Sequence, residues 1–166
     1  MTAGTPKAGS GRWRRLLFVV GSMLLGGCAI STPFPRLSAP PHAGGDDPVV
    51  LVLTRIVVNV DQRDEFDRQT KRVIDSLPQQ PGLIGFSARR QLFGSEGWTM
   101  SVWASDEARA AFVRSSVHQQ AMRQSRPAIV TVELKRLSLP RQQLPGNWAQ
   151  ALALLDEPDG RRSYEQ

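Results

Sequence analysis

The chain predicts an α+β domain in which four strands and two helices follow one another in the order β-α-β-β-α-β. Three observations carry that prediction. Val49 to Val60 is a largely β-branched run, and residues 83–93 and 97–104 are two strand-like runs joined by Gly94-Ser95-Glu96-Gly97. Between the strands, two stretches repeat apolar residues at helical spacing. A split βαβ order of this kind, ferredoxin-like, gives one antiparallel four-stranded sheet with both helices on one face.

Each element has its own local reason. Asp61 can cap a helix beginning near Gln62, in which Phe66, Val73, Ile74 and Leu77 share a face until Pro78 and Pro81-Gly82 stop it. The glycines flanking Ser95-Glu96 make a hairpin of the next two strands. Ser105 followed by Asp106 and Glu107 is a hydroxyl cap with two acids at the positive end of the helix dipole. Ala108, Ala111, Phe112, Ser115, His118 and Met122 then form the stripe of one second helix, and residues 128–138 alternate as the last strand. Asn59 reads as a turn residue. Strands as apolar as Val50, Val52, Ile56 and Val58 should not leave the far sheet face wet, so sheet-to-sheet dimerisation is expected to cover it.

Charge and composition place this domain in a longer organisation. The 166 residues are 40% hydrophobic, with a net charge of +6. Lys7, Arg12, Arg14 and Arg15 supply +4 of it within residues 1–27, which hold no acid. An apolar run from Leu16 to Leu25 follows, too short for an ordinary membrane span but suited to a signal segment. It ends in Leu25-Gly26-Gly27-Cys28, which resembles the lipobox of bacterial lipoproteins. That resemblance implies cleavage before Cys28 and acylation of its thiol, each buried methylene contributing about 0.8 kcal/mol to membrane anchoring. The competing readings are an uncleaved anchor helix and a chance cysteine after an apolar run. Ala29 rather than Asp follows, so the expected location is exported and lipid-anchored to the envelope, on the periplasmic face of the outer membrane in a host with two membranes.

The expected organisation is therefore a signal peptide over 1–27, a lipidated Pro/Gly-rich tether over 28–48, the folded domain over 49–140, and a tail over 141–166. Pro33, Pro35, Pro40, Pro41 and Pro48 disfavour regular structure in the tether, where His42 is a solvated histidine. In the tail, Asn147 can cap a short helix carrying Trp148, Ala151, Leu152 and Leu155, and residues 156–166 read as frayed.

The stretch Pro81-Gly82-Leu83-Ile84-Gly85-Phe86, then Gly97 to Ser105 with Trp98 and Trp103, then Ala111-Phe112 and His118, resembles the antibiotic biosynthesis monooxygenase group of dimeric α+β barrels. The resemblance covers about 49–138 and implies the fold more specifically than the activity, since the group includes oxygenases, haem-degrading proteins and members without known activity. Its cofactor-independent oxygenases act on electron-rich phenols or anthrones, so a small apolar or aromatic ligand, a homodimer and no cofactor are expected. His118 could take or hold a proton, Trp103 could stack on an aromatic ligand, Phe112 could line its pocket, and Arg90 (or Arg89, on the opposite face by alternation) could offset phenolate charge. The same residues also have structural readings: Trp103 as core packing, His118 as a hydrogen-bonded structural histidine, the arginines as one solvated residue and one ion-pair partner. A non-catalytic binding or scaffold module for an apolar ligand is thus the alternative function.

Other classes are disfavoured. Haem-degrading relatives use an Asn-Trp-His set, and the corresponding places here hold Thr54, Phe112 and Met122, with His118 one turn early. One cysteine and two histidines leave no metal-ligand set. Nucleic acid is not an expected partner: the 13 Lys/Arg of residues 48–140 are scattered among 9 Asp/Glu, without an RNA-binding aromatic motif.

Overall fold

A computed structural model describes residue 1, residues 28–33 and residues 47–165. The rest of the leader and residues 34–46, with His42, lie outside the described residues. Strand β1 (Ala29–Ser31) is followed by β2 (Pro48–Val58), helix α1 (Arg63–Ser76), β3 (Leu83–Gln91) and β4 (Glu96–Trp103). Helices α2 (Asp106–Val113) and α3 (Ser116–Ser125), β5 (Ile129–Pro140), α4 (Trp148–Asp156) and β6 (Arg161–Glu165) complete the order. All pairings are antiparallel, in the spatial order β1-β3-β4-β2-β5-β6.

The central four strands and the helices between them follow the expected α+β, ferredoxin-like order. The sheet has six strands, however, because both flanks contribute one more. Residues 29–31, in the stretch read as a tether, pair with Arg89–Gln91, and the Leu92 N–H donates to the Cys28 carbonyl at 2.8 Å. Residues 161–165, read as frayed, pair with Thr131–Lys135. Neither segment has an apolar period long enough to announce itself. Each finds instead the unpaired backbone of an edge strand, which supplies partners whatever the side chains are.

The far face of the sheet is not left for a second subunit alone to cover. Alternation along β2 sends Val49, Leu51 and Leu53 to that face, beside Met100 and Val102 of β4, and α4 lies over them with Trp148, Ala151 and Leu155 buried. Polar contacts at both ends hold α4 in place. Asn147 caps its first turn by accepting from the Gln150 N–H at 2.9 Å, as expected, and Trp148 Nε1 donates to Ser87 Oγ at 3.2 Å. At the other end Lys135, 1% exposed, donates from Nζ to the Leu154 carbonyl at 2.6 Å and to the carbonyl and carboxylate of Glu157, each at 3.2 Å. A buried ammonium thus occupies the negative end of the helix and is itself satisfied.

Two local expectations are corrected. Asn59, not Asp61, is the cap: its side chain accepts from the Asp61 N–H at 3.1 Å and starts a short 3-10 turn before α1. The second helix is two helices, parted at Ser115. Ser115 is extended at φ −62° and ψ 150°, and its hydroxyl accepts from the His118 N–H at 3.4 Å to begin α3. A Ser-Ser pair offers the backbone alternative hydrogen bonds, which is why the helix yields here. Ser105 caps α2 as expected, accepting from the Ala108 N–H at 3.2 Å.

The Pro81-Gly82 motif also gains a physical reason. Gly82 has φ +78°, and a Cβ there would stand 2.5 Å from the Ala108 Cβ of α2. Its carbonyl accepts from the Ala104 N–H at 2.8 Å, so it cannot move away. Gly82→Ala combines a left-handed backbone with overpacking, and is expected to lower stability by about 2–4 kcal/mol. Urea denaturation checks this; a loss below about 0.5 kcal/mol would show that α2 does not rest on this glycine.

Candidate functional site

The other sheet face carries Val50, Val52, Thr54 and Ile56 of β2, each opposite a β4 residue of the same face. Helices α1, α2 and α3 stand over it but do not fill the space beneath them. A cavity of about 340 Å³ remains between the sheet and the three helices. Its floor is Val52, Thr54 and Ile56, with Val132 and Leu134 from β5, and α1 adds Phe66, Val73 and Ile74 to its wall. That volume lies within the usual range of about 300–1,000 Å³ for small-ligand sites.

One end of the cavity is a row of three rings. Trp103, at the end of β4 and 1% exposed, stacks on Phe112 of α2 with centroids 5.1 Å apart at 27°. Phe112 in turn meets the His118 ring of α3 edge-on, at 4.9 Å and 64°. In one continuous helix, residues 112 and 118 would point roughly 120° apart. The break at Ser115 turns both rings into the same space. The Trp103 Nε1 is satisfied within its own strand, donating to Ser101 Oγ at 2.9 Å, so the indole offers the cavity an apolar surface rather than a donor.

His118 is half-buried. Burial holds its imidazole below the ordinary histidine value, while a hydrogen bond to the Val113 carbonyl works in the opposite sense. Desolvation dominates, so the ring is neutral near pH 7, with one nitrogen donating to the carbonyl and the other left as an acceptor. A neutral ring of fixed tautomer can accept a proton from a bound hydroxyl or an activated carbon acid.

Arg109 is a cavity residue that periodicity did not single out. Its guanidinium is held by Asp106 through Nε at 2.7 Å, and Asp106 also accepts from Arg136 at 3.0 Å. Arg109 first, and Arg136 with it, keep the Asp106 carboxyl below the usual carboxylate range. The available signal was position: residues 109, 112 and 113 share one helical stripe, and all three line the cavity.

The structure therefore brings Trp103, Phe112 and His118 together and sets Arg90 apart. Arg90 reaches toward α1, where it meets Asp67 at 3.4 Å. It lines a second cavity of about 280 Å³, bounded by β1, β3 and α1, that shares Ile56, Phe66, Thr70, Ile74 and Thr99 with the first. Arg89, on the opposite face as alternation requires, lies 5.6 Å over the Trp98 ring. The places of the haem-associated set, Thr54, Phe112 and Met122, all line the main cavity, and none of them supplies an imidazole. Among the described residues no three His, Cys, Asp or Glu side chains are grouped to hold a metal ion. Cys28 is exposed at the start of β1, far in sequence from this cavity.

The unfolded chain titrates His118 near 6.5, the folded chain below it, so between those values only the unfolded state holds the extra proton. Stability is then fully present above 6.5 and falls as pH drops through the window beneath it. His118→Gln should flatten this part of the curve in urea midpoints taken from pH 7.5 down to pH 5; a slope unchanged in the variant would show that the ring is not desolvated.

Comparison with known proteins agrees with this fold. Residues 49–124 match the family model described as antibiotic biosynthesis monooxygenase. No curated protein matches the chain in sequence. Among solved structures, a candidate monooxygenase from Lactobacillus acidophilus NCFM superposes with a TM-score of 0.52 at 17% identity, over 63% of this chain. This chain spans only 47% of the length of that protein. A candidate antibiotic biosynthesis monooxygenase from Bacteroides thetaiotaomicron gives 0.51 at 15% identity, covering 60% of this chain and 93% of its own. SnoaB, a cofactor-independent oxygenase from Streptomyces nogalater, gives 0.50 at 19% identity, covering 59% and 98% respectively. From β2 to α3, the chain carries an antibiotic biosynthesis monooxygenase-like domain.

Proposed function

We propose that this domain is a cofactor-independent monooxygenase for a small, electron-rich aromatic molecule, held at the cell envelope by a lipid on Cys28. The observation that carries the enzymatic part is the Trp103-Phe112-His118 row, which sets a neutral imidazole beside aromatic surface in an apolar cavity. A phenol or anthrone would lie against the ring of Phe112, with its acidic hydrogen toward the free nitrogen of His118. Transfer of that proton leaves a delocalised carbanion, which reduces dioxygen and bonds to it. The peroxide takes the proton back and loses water, so a CH2 group and O2 become a carbonyl and H2O. Arg109, near the developing negative charge, would favour the enolate electrostatically.

The bond from His118 to the Val113 carbonyl favours a second reading, in which the ring is structural and the cavity only binds an apolar ligand. Oxygen uptake with a panel of quinols and anthrones separates the two. Uptake is expected to require the substrate and to fall at least ten-fold in His118→Ala while ligand binding persists. Binding without uptake would leave the module reading in place.

The envelope location rests on the leader and its lipobox-like end, and the homodimer on the family resemblance alone, because α4 fills much of the face that called for a partner. Cys28→Ser is expected to leave an uncleaved precursor without acyl mass. Unchanged processing by mass spectrometry would overturn the lipid anchor.

A further inference from the structure

The ends of the strands next to Cys28 carry an apolar rim that the core does not use. The β3–β4 hairpin exposes Leu92 and, at 95%, Phe93. Its backbone is tied to the neighbouring chain ends: the Leu92 N–H to the Cys28 carbonyl, the Val58 N–H to the Ser95 carbonyl, and Arg63 to the Gly94 carbonyl. Register puts the beginning of β1, the end of β2 and the beginning of β5 at this same end of the sheet. There Ile30, Val60 and Val130 are exposed as well. Five of the exposed large hydrophobic residues among those described thus lie along one edge, from β1 across to β5. At about 4.8 Å per strand, that rim is roughly 19 Å across.

We propose that this rim docks on the lipid bilayer, with the β3–β4 hairpin tip entering the headgroup region. The proposal rests on residue 28 being where the chain meets the membrane. The apolar run Leu16–Leu25 ends three residues before Cys28, so an acylated cysteine and an uncleaved leader both bring the bilayer to this point. Because β1 begins directly at Ala29 and is paired into the sheet, no slack separates the attachment from the domain. The end of the sheet that must face the membrane is the end that exposes Phe93. Apolar side chains held at an anchored surface gain by burial in the interface, and each adds to the residence of the acyl chains.

The full chain in phosphatidylcholine vesicles tests this. Phe93→Cys and, at the opposite end of the sheet, Gln143→Cys each receive a thiol-reactive fluorophore, and quenching by aqueous iodide is compared. Both are made in the native background and in a Cys28→Ser background anchored by the leader. Quenching at position 93 is expected to be at least three-fold weaker than at position 143. Equal quenching at the two positions in these protein-free vesicles overturns docking. Dye uptake by the unsubstituted chain exposes a free Cys28 thiol and tells against acylation separately, leaving the docking result to be read in the Cys28→Ser pair.

Discussion

Strand β2 is apolar on both of its faces, and the rest of the molecule answers that constraint. Val49, Leu51 and Leu53 point one way, Val50, Val52 and Ile56 the other, so neither face can be left to water. On one side the answer is α4, a single short helix whose apolar residues sit directly over the strand. On the other side it is three helices, which pack on the sheet at one end, where Ala108 and Phe112 meet Val50 and Trp103, and stand off it elsewhere. The first arrangement is a packed core; the second leaves a chamber. The same strand therefore supplies the stable half of the protein and the floor of its site.

The chamber acquires its chemistry from an interruption rather than from a motif. A helix running unbroken from Asp106 to Ser125 would carry Phe112 and His118 at opposite edges of one stripe, roughly 120° apart. The break at Ser115 re-aims the second half, and the two rings meet. Burial then keeps the imidazole uncharged, while the carbonyl of Val113, the last residue of the first half, fixes the ring. Backbone irregularity, aromatic packing and protonation state are one arrangement here.

Much of this was legible in the residues. The runs of β2 and β5, the Gly-flanked hairpin and the caps at Ser105 and Asn147 follow from local chemistry, and the structure repeats them. Residues 29–31 and 161–165 were not legible as strands, because an edge strand is specified by the backbone it joins and only weakly by its own pattern. The role of α4 was half legible: its cap and its apolar residues were read, but not the sheet face it covers. Lys135 shows why. Within an alternating strand it reads as a solvated cation, and only the tertiary fold brings the Leu154 and Glu157 carbonyls to its ammonium. In the site, Trp103, Phe112 and His118 were found from the resemblance. Arg109 was missed because an arginine beside two acids on a helix reads as an exposed ion pair.

The position of α4 in the chain bears on how the protein comes to be folded. Ser87 meets Trp148 across 61 residues, and Arg55 meets Asp156 across 101. The face of β2 that α4 covers is therefore synthesised well before its cover. Until α4 is made, the growing sheet can close only on its cavity side and keeps a hydrophobic surface exposed. Contacts of such long sequence separation form slowly. Final assembly of this domain thus waits for α4, and a chain ending before Trp148 would lose α4 and the edge strand β6 together and leave that sheet face uncovered.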